Sequence, residues 1–116
     1  MIIKKPFNRI DRVGKEILDI LGFIILKHID LNNLGFITFT QIYISKDLKN
    51  AKVFYSVLNP KKSIDEINIS LNKKKKAFKK YLGLQLTMKN TPDVKFYYDE
   101  TLDYMTKINT LLKDVN

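Results

Sequence analysis

Apolar residues in the first third of the chain recur at intervals of three and four: Ile10, Val13, Ile17, Leu21 and Ile24. That spacing stacks them on one face of a helix. It predicts a helix from Asn8 to Leu26 or Lys27 with Asn8 as its N-cap. Arg9, Arg12, Lys15 and Asp19 fall mostly on its other faces. The stretch Leu31 to Gly35, with Asn32, Asn33 and Gly35, reads as a turn. A strand is predicted over Phe36 to Ser45, which is rich in Ile, Thr, Phe and Tyr. Its alternation changes phase midway. Ile37 and Phe39 share one parity, Ile42 and Ile44 the other. One extra residue at Thr40 or Gln41 keeps all four on one face, which predicts a β-bulge there. A second strand spans Ala51 to Leu58, with Ala51, Val53, Tyr55 and Val57 alternating with Lys52, Phe54, Ser56 and Leu58. The short link from Lys46 to Asn50 makes the pair antiparallel.

Ser63 stands three residues before Glu66, the spacing of a capping box. The helix it opens carries Ile64, Ile67 and Leu71 on its apolar face. That face should continue at 74 or 75, where both residues are lysine, and it returns only at Phe78 and Leu82. Two helices meeting at a kink give that pattern, as does one helix whose middle turn lifts off the core. Gly83 is expected to end the second half, and Leu84, Leu86 and Met88 to form a short extended segment. Thr91-Pro92 disfavours helix. Val94, Phe96 and Tyr98 mark a third strand, and Asp99 caps a last helix lined by Leu102, Met105, Ile108 and Leu112. The order is helix, strand, strand, helix-kink-helix, strand, helix. It makes an α+β domain over residues 1–116, with helices on one face of a three-stranded sheet and residues 1–7 and 114–116 as flexible ends.

Charge changes this picture of a plain small domain. Lys plus Arg number 21 against 12 acids, a net charge of +9, which favours a polyanionic partner. The excess is concentrated. Lys73, Lys74, Lys75, Lys76, Lys79 and Lys80 lie within eight residues with no acid among them. Like charges at i,i+3 and i,i+4 cost the helix ~0.2–0.5 kcal/mol per pair, and a face that bears this cost suits a polyanion. Lysine is a point charge, fitted to phosphates rather than to reading base edges. A solvated helix face is the plainer alternative for the tract. Arg9, Arg12, Lys15, Lys89 and Lys95 extend the candidate nucleic-acid-binding surface. Phe54 and Tyr97 take the parity opposite to Tyr55 and Phe96. Either lies on an open face, where a ring can stack on a base, or packs beneath the terminal helix.

Candidate chemistry is sparse. There is one histidine, His28, and no cysteine. A nucleophile–base–orienter set or a metal site with two histidines or cysteines is therefore not available. His28, near a helix C-terminus, reads as a solvated residue. Asp65-Glu66 and Asp99-Glu100 sit at helix starts, where they complement the dipole. No glycine-rich phosphate loop is present. No apolar run reaches the roughly 20 residues a membrane span needs. The expectation is a cytoplasmic protein that binds without catalysis, uses no cofactor or metal, and takes no membrane or small-molecule partner.

Strand, helix, helix, strand is the minimal KH unit, and the preceding helix and strand match its type II arrangement. Local motifs narrow the resemblance. Arg9, Arg12, Val13 and Ile17 in the opening helix, Leu34-Gly35-Phe36-Ile37-Thr38-Phe39-Thr40, and Ser45, Asp47 and Leu48 before Ala51-Lys52-Val53 occur in order. Thr91-Pro92-Asp93-Val94-Lys95-Phe96 with Tyr98-Asp99 completes the set. Together they resemble the ribosome-binding factor A family of bacterial small-subunit assembly factors, over roughly residues 8 to 113. The chain departs from the family in two places. Lys74-Lys75-Lys76 stands where the family has an alanine-x-glycine kink, and Leu31-Asn32-Asn33 replaces a proline-containing turn. The resemblance implies a monomer that binds 16S rRNA in the free 30S subunit, helps late assembly and 5′-end maturation, and serves cold adaptation. Two other readings stay open: a KH-like RNA regulator unrelated to ribosomes, and a basic module docking an acidic protein surface.

Overall fold

The structure, a computed structural model, describes residues 9–101. The expected last helix and both predicted flexible ends lie outside the described residues. Helix α1 spans Arg9–Lys27, strand β1 Phe36–Ile44 and strand β2 Asn50–Leu58. Helices α2 (Ile64–Lys73) and α3 (Lys75–Gln85) follow, then strand β3 (Asp93–Tyr98). The sheet order is β1-β2-β3, antiparallel between β1 and β2 and parallel between β2 and β3. This is the α+β arrangement expected of a type II KH unit.

Alternation decides which side of the sheet is dry. Ile37, Ala51, Val53, Tyr55, Val94 and Phe96 are buried under the helices, which contribute Ile17, Leu21, Ile24, Ile67, Leu71, Phe78 and Leu82. Each Val, Leu, Ile or Phe side chain among them contributes roughly 1.5–3 kcal/mol by leaving water. Phe39, Phe78 and Phe96 form an aromatic knot with ring centroids 4.9–6.0 Å apart. The bulge falls where the change of phase put it. Phe39 pairs with Tyr55 and Gln41 with Phe54, leaving Thr40 as the extra residue. The irregularity turns the Thr40 hydroxyl to donate to Asp99 Oδ2 at 2.6 Å. Asp99 Oδ1 accepts from the Thr101 N–H, as a helix cap does. These bonds, Thr40 first, hold the Asp99 carboxyl below its ordinary pKa.

Two turns are set by backbone geometry. Gly35 has φ +127°, and a Cβ there would lie 2.9 Å from Val57 Cγ1 and 3.0 Å from the Asn59 carbonyl oxygen. Only glycine fits that position. Between β1 and β2, the Ser45 hydroxyl donates to Asp47 Oδ1, which also accepts from the Lys49 N–H. Ser45 Oγ in turn accepts from the Asn50 N–H. The serine-x-aspartate motif is thus a self-satisfied turn, and its bonds, Ser45 first, lower the Asp47 pKa.

The helical hairpin differs from expectation at one end. Gly83 does not stop α3, which continues to Gln85 and ends where Leu86 turns extended at φ −80°, ψ 141°. Leu84 is therefore helical, not extended. Burial of Leu86 draws the chain into the core one turn later. Gly83 serves another purpose: a Cβ there would meet Thr91 Oγ1 at 2.8 Å, so its absence lets the incoming Thr91-Pro92 link lie close.

Candidate nucleic-acid interface

Ser63 opens α2 as expected, its Oγ accepting from the Glu66 N–H at 3.2 Å. Ile67 and Leu71 then face the sheet. At Lys74 the helix breaks. Its N–H donates to the Leu71 carbonyl, three residues back, and its own carbonyl accepts from the Phe78 N–H, which starts α3. Lys74 has φ −94° and ψ 3°. That bridge conformation is open to any L-residue, so the kink needs no alanine or glycine. It re-aims the apolar face so that Phe78 and Leu82 reach the core while Lys75 and Lys76 stay exposed. The kink is therefore kept with lysine in place of alanine-x-glycine.

Two asparagines fasten this hairpin to the sheet. Asn68 Oδ1 accepts from the buried Tyr55 hydroxyl at 3.0 Å. Burial raises the Tyr55 pKa to about 12, so the hydroxyl remains a donor at neutral pH. The Asn72 amide donates to the Phe96 carbonyl and accepts from the Phe96 N–H, at 3.0 and 2.9 Å. Those backbone groups lie on the side of β3 that has no neighbouring strand among the described residues. The side chain of Asn72 supplies the missing pairing and closes the edge.

The fixed hairpin brings the tract to the start of β3. Lys75, Lys76 and Lys79 line a groove of about 480 Å³ with Lys52, Lys95, Asp93 and Tyr97. Lys79 is half-buried, and its ammonium donates to Asp93 Oδ1 at 2.6 Å. The hydrogen bond from Lys79, its charge and that of Lys75 lower the Asp93 pKa. One lysine of the tract is thus already matched by an acid, whereas Lys52, Lys75, Lys76 and Lys95 are exposed on the groove.

The remaining predicted residues distribute themselves around this centre. Lys73 ends α2, Lys74 is half-buried in the kink, and Lys80 and Lys89 are exposed away from the groove lining. Arg9, Arg12 and Lys15 are exposed on α1. The α1 turn at Gly14 lies over Ile42 and Ile44, with a Cβ there 3.2 Å from Ile42 Cγ2. That end of β1 pairs with the start of β2, and β2 in turn with the start of β3. The α1 cations therefore stand at the same end of the sheet as the groove, over its opposite edge. Lys52 is the residue that sequence reasoning passed over, because a lone lysine in a strand carries no local signal. His28 is exposed, and its ring stacks on Tyr81 at 4.4 Å. Among the described residues no three His, Cys, Asp or Glu side chains are grouped to hold a metal, and no helix is long and apolar enough to cross a membrane.

Comparison with known proteins fits these observations. The model of the family described as ribosome-binding factor A matches residues 9–112. A ribosome-binding factor A of Staphylococcus carnosus is 32% identical over 108 residues, covering 93% of this chain and 94% of that protein. Its counterpart in Streptococcus mutans is 36% identical over 109 residues, with the same coverage. Among solved structures, the crystal structure of ribosome-binding factor A from Thermus thermophilus superposes with a TM-score of 0.67 at 15% identity, covering 78% of this chain and 97% of that one. A Thermus thermophilus homology model, fitted into the cryo-EM map of a 30S complex with that factor, gives 0.62 at 15% identity, covering 74% and 90%. At these identities the structural likeness speaks for the fold.

Proposed function

The chain belongs to the ribosome-binding factor A family, and we propose that it binds the free small ribosomal subunit through phosphates of 16S rRNA. The carrying observation is the groove at the start of β3, where four exposed lysines from three separate elements converge. Convergence from β2, α3 and β3 is what a phosphate site requires and what a merely solvated helix face does not. The reading also draws on the Thermus thermophilus relative fitted to a 30S complex. Lys73, Lys74 and Lys80 widen the cationic field along the hairpin. Lys89 and the α1 residues Arg9, Arg12 and Lys15 supply its outer reach. The factor acts as a monomer in the cytoplasm and by binding alone. It favours one rRNA conformation through differential affinity, a population shift that carries late assembly and 5′-end maturation forward in the cold.

If each of the four exposed groove lysines neutralises one phosphate, log K falls against log salt with a slope of about −2.8 for single-stranded RNA. The double substitution Lys75→Gln/Lys76→Gln should halve that slope, to about −1.4. Titration with purified free small subunits across a salt series measures both. An unchanged slope in the variant would remove the groove from the interface.

A further inference from the structure

All three described helices cover one face of the sheet, and the opposite face carries aromatic residues that no described helix covers. Tyr43 on β1, Phe54 on β2 and Tyr97 on β3 run across it, with centroids 5.7 Å apart at each step. Tyr43 is 60% exposed, and Phe54 and Tyr97 are half-buried. The planes of Phe54 and Tyr97 differ by 31°, so the two rings offer adjoining faces, while Tyr43 stands at 89° to Phe54 as a wall. The Tyr43 hydroxyl is steadied by donating to Gln41 Oε1. None of these rings belongs to the core cluster.

Cations frame the row. Lys52 and Lys95 are direct partners between β2 and β3, and like charges directly opposite one another destabilise a sheet. Asp93, the acid two positions before Lys95 on the same strand, is committed to Lys79. The Lys95 ammonium lies 5.5 Å over the Tyr97 ring, where the ring face supplies its partial negative charge. At one end of the row, Tyr97 lines the lysine groove. At the other, Tyr43 lines a groove of about 490 Å³ that carries both Lys15 and Asp11. The aromatic row thus joins two lysine-bearing grooves at opposite sheet edges.

We propose that this face, which no described helix covers, is a stacking platform for unpaired RNA bases. Phe54 and Tyr97 receive two successive bases, Tyr43 bounds the run, and Lys52 and Lys95 hold the intervening phosphates. A sheet with exposed aromatics takes two or three bases in this way, and each stacked base adds affinity without requiring a particular sequence. The charge of the frame selects a nucleic acid over an apolar partner. The proposal rests on the RNA-binding reading above and adds to it that bases, not only phosphates, are held.

The test uses the full chain, a single-stranded RNA dodecamer of mixed sequence, and an abasic ribose-phosphate strand of equal length. The wild type should bind the base-bearing strand about 25-fold more tightly than the abasic one, roughly fivefold for each of two bases. Stacking should also quench the tyrosine fluorescence, which no tryptophan masks. The variant Phe54→Leu/Tyr97→Leu, with its melting temperature checked, should bind both strands at the wild type's abasic affinity. Lys75→Gln/Lys76→Gln should weaken both strands equally and keep their ratio. Equal wild-type affinity for the two strands overturns the platform while leaving the phosphate groove intact. Binding of neither strand overturns the groove reading and the platform with it. A wild type that dimerises without RNA, and becomes monomeric in the leucine variant with its base preference intact, assigns the face to a second copy and overturns the platform.

Discussion

The two faces of the sheet are built from neighbouring residues with opposite fates. Tyr55 is fully buried and hydrogen-bonded to Asn68, while Phe54 beside it lies on the face that no described helix covers. Phe96 is fully buried against Phe78 and Phe39, while Tyr97 borders a lysine groove. The inner face holds its polar atoms in closed pairs and packs its rings against helices. The outer face leaves lysines directly opposite one another and rings half in water. The contrast teaches that aromatic content divides here between two tasks. The inner rings are spent on folding, while the outer ones stand partly in water outside the core cluster.

The sharpest way to break that comparison is to truncate adjacent residues. Phe96→Ala should cost about 3–5 kcal/mol, through lost transfer energy and the cavity left in the aromatic knot. Tyr97→Ala should cost no more than about 1 kcal/mol, since its ring is already part-solvated. Urea unfolding of the two variants measures both. Equal costs would mean that the outer ring is a structural one after all.

A smaller effect sharpens the boundary of the inner face. Asn72→Leu removes both hydrogen bonds that its side chain makes to the Phe96 backbone. Leaving those groups unpaired should cost about 1–3 kcal/mol. Amide hydrogen exchange at Phe96 should rise with it. Retained protection at Phe96 would show that the edge is closed by something other than Asn72.

The smallest expected effect concerns pH and the bulge. The Asp99 carboxyl titrates below its ordinary value of 3.8 in the folded chain, because Thr40 and Thr101 donate to its ionised form. Between the two pKa values the unfolded state binds more protons. The stabilisation is therefore complete above the ordinary value and is lost as pH falls through the folded one. Asp99→Asn should lower stability by about 1 kcal/mol at neutral pH. The gap to wild type should narrow only on acidification below 3.8. A gap that stays constant throughout that acid range as well would remove Asp99 from the acid response.

Most of the fold was legible in the chain because it was written in short-range patterns. The phase change between Phe39 and Ile42 announced the bulge, since a period of two leaves no other way to keep both pairs on one face. Lysines at 74 and 75 announced an interruption of the apolar stripe, which a kink or a lifted middle turn explained equally, and the structure has the kink. Gly83 misled for the complementary reason. Its lack of a side chain answered to Thr91, eight residues away, and not to its own helix. The lysine tract itself was plain as a concentration of charge, and its six members looked alike.

The sequence alone thus predicted the order of elements from α1 to β3, the bulge, and an interruption of the apolar stripe at Lys74-Lys75, and its charge pointed to a polyanionic partner. All of these follow from periodicity and composition over spans of a few residues. Only the tertiary structure decided which lysines stand together. It withdrew Lys79 into a bond with Asp93 and added Lys52 from a strand that had shown no sign of it. It also placed Tyr43, Phe54 and Tyr97 in one row. These are contacts between elements far apart in the chain. They are set by the parallel pairing of β2 with β3 and by the angle of one kink, and neither leaves a local trace in the order of residues.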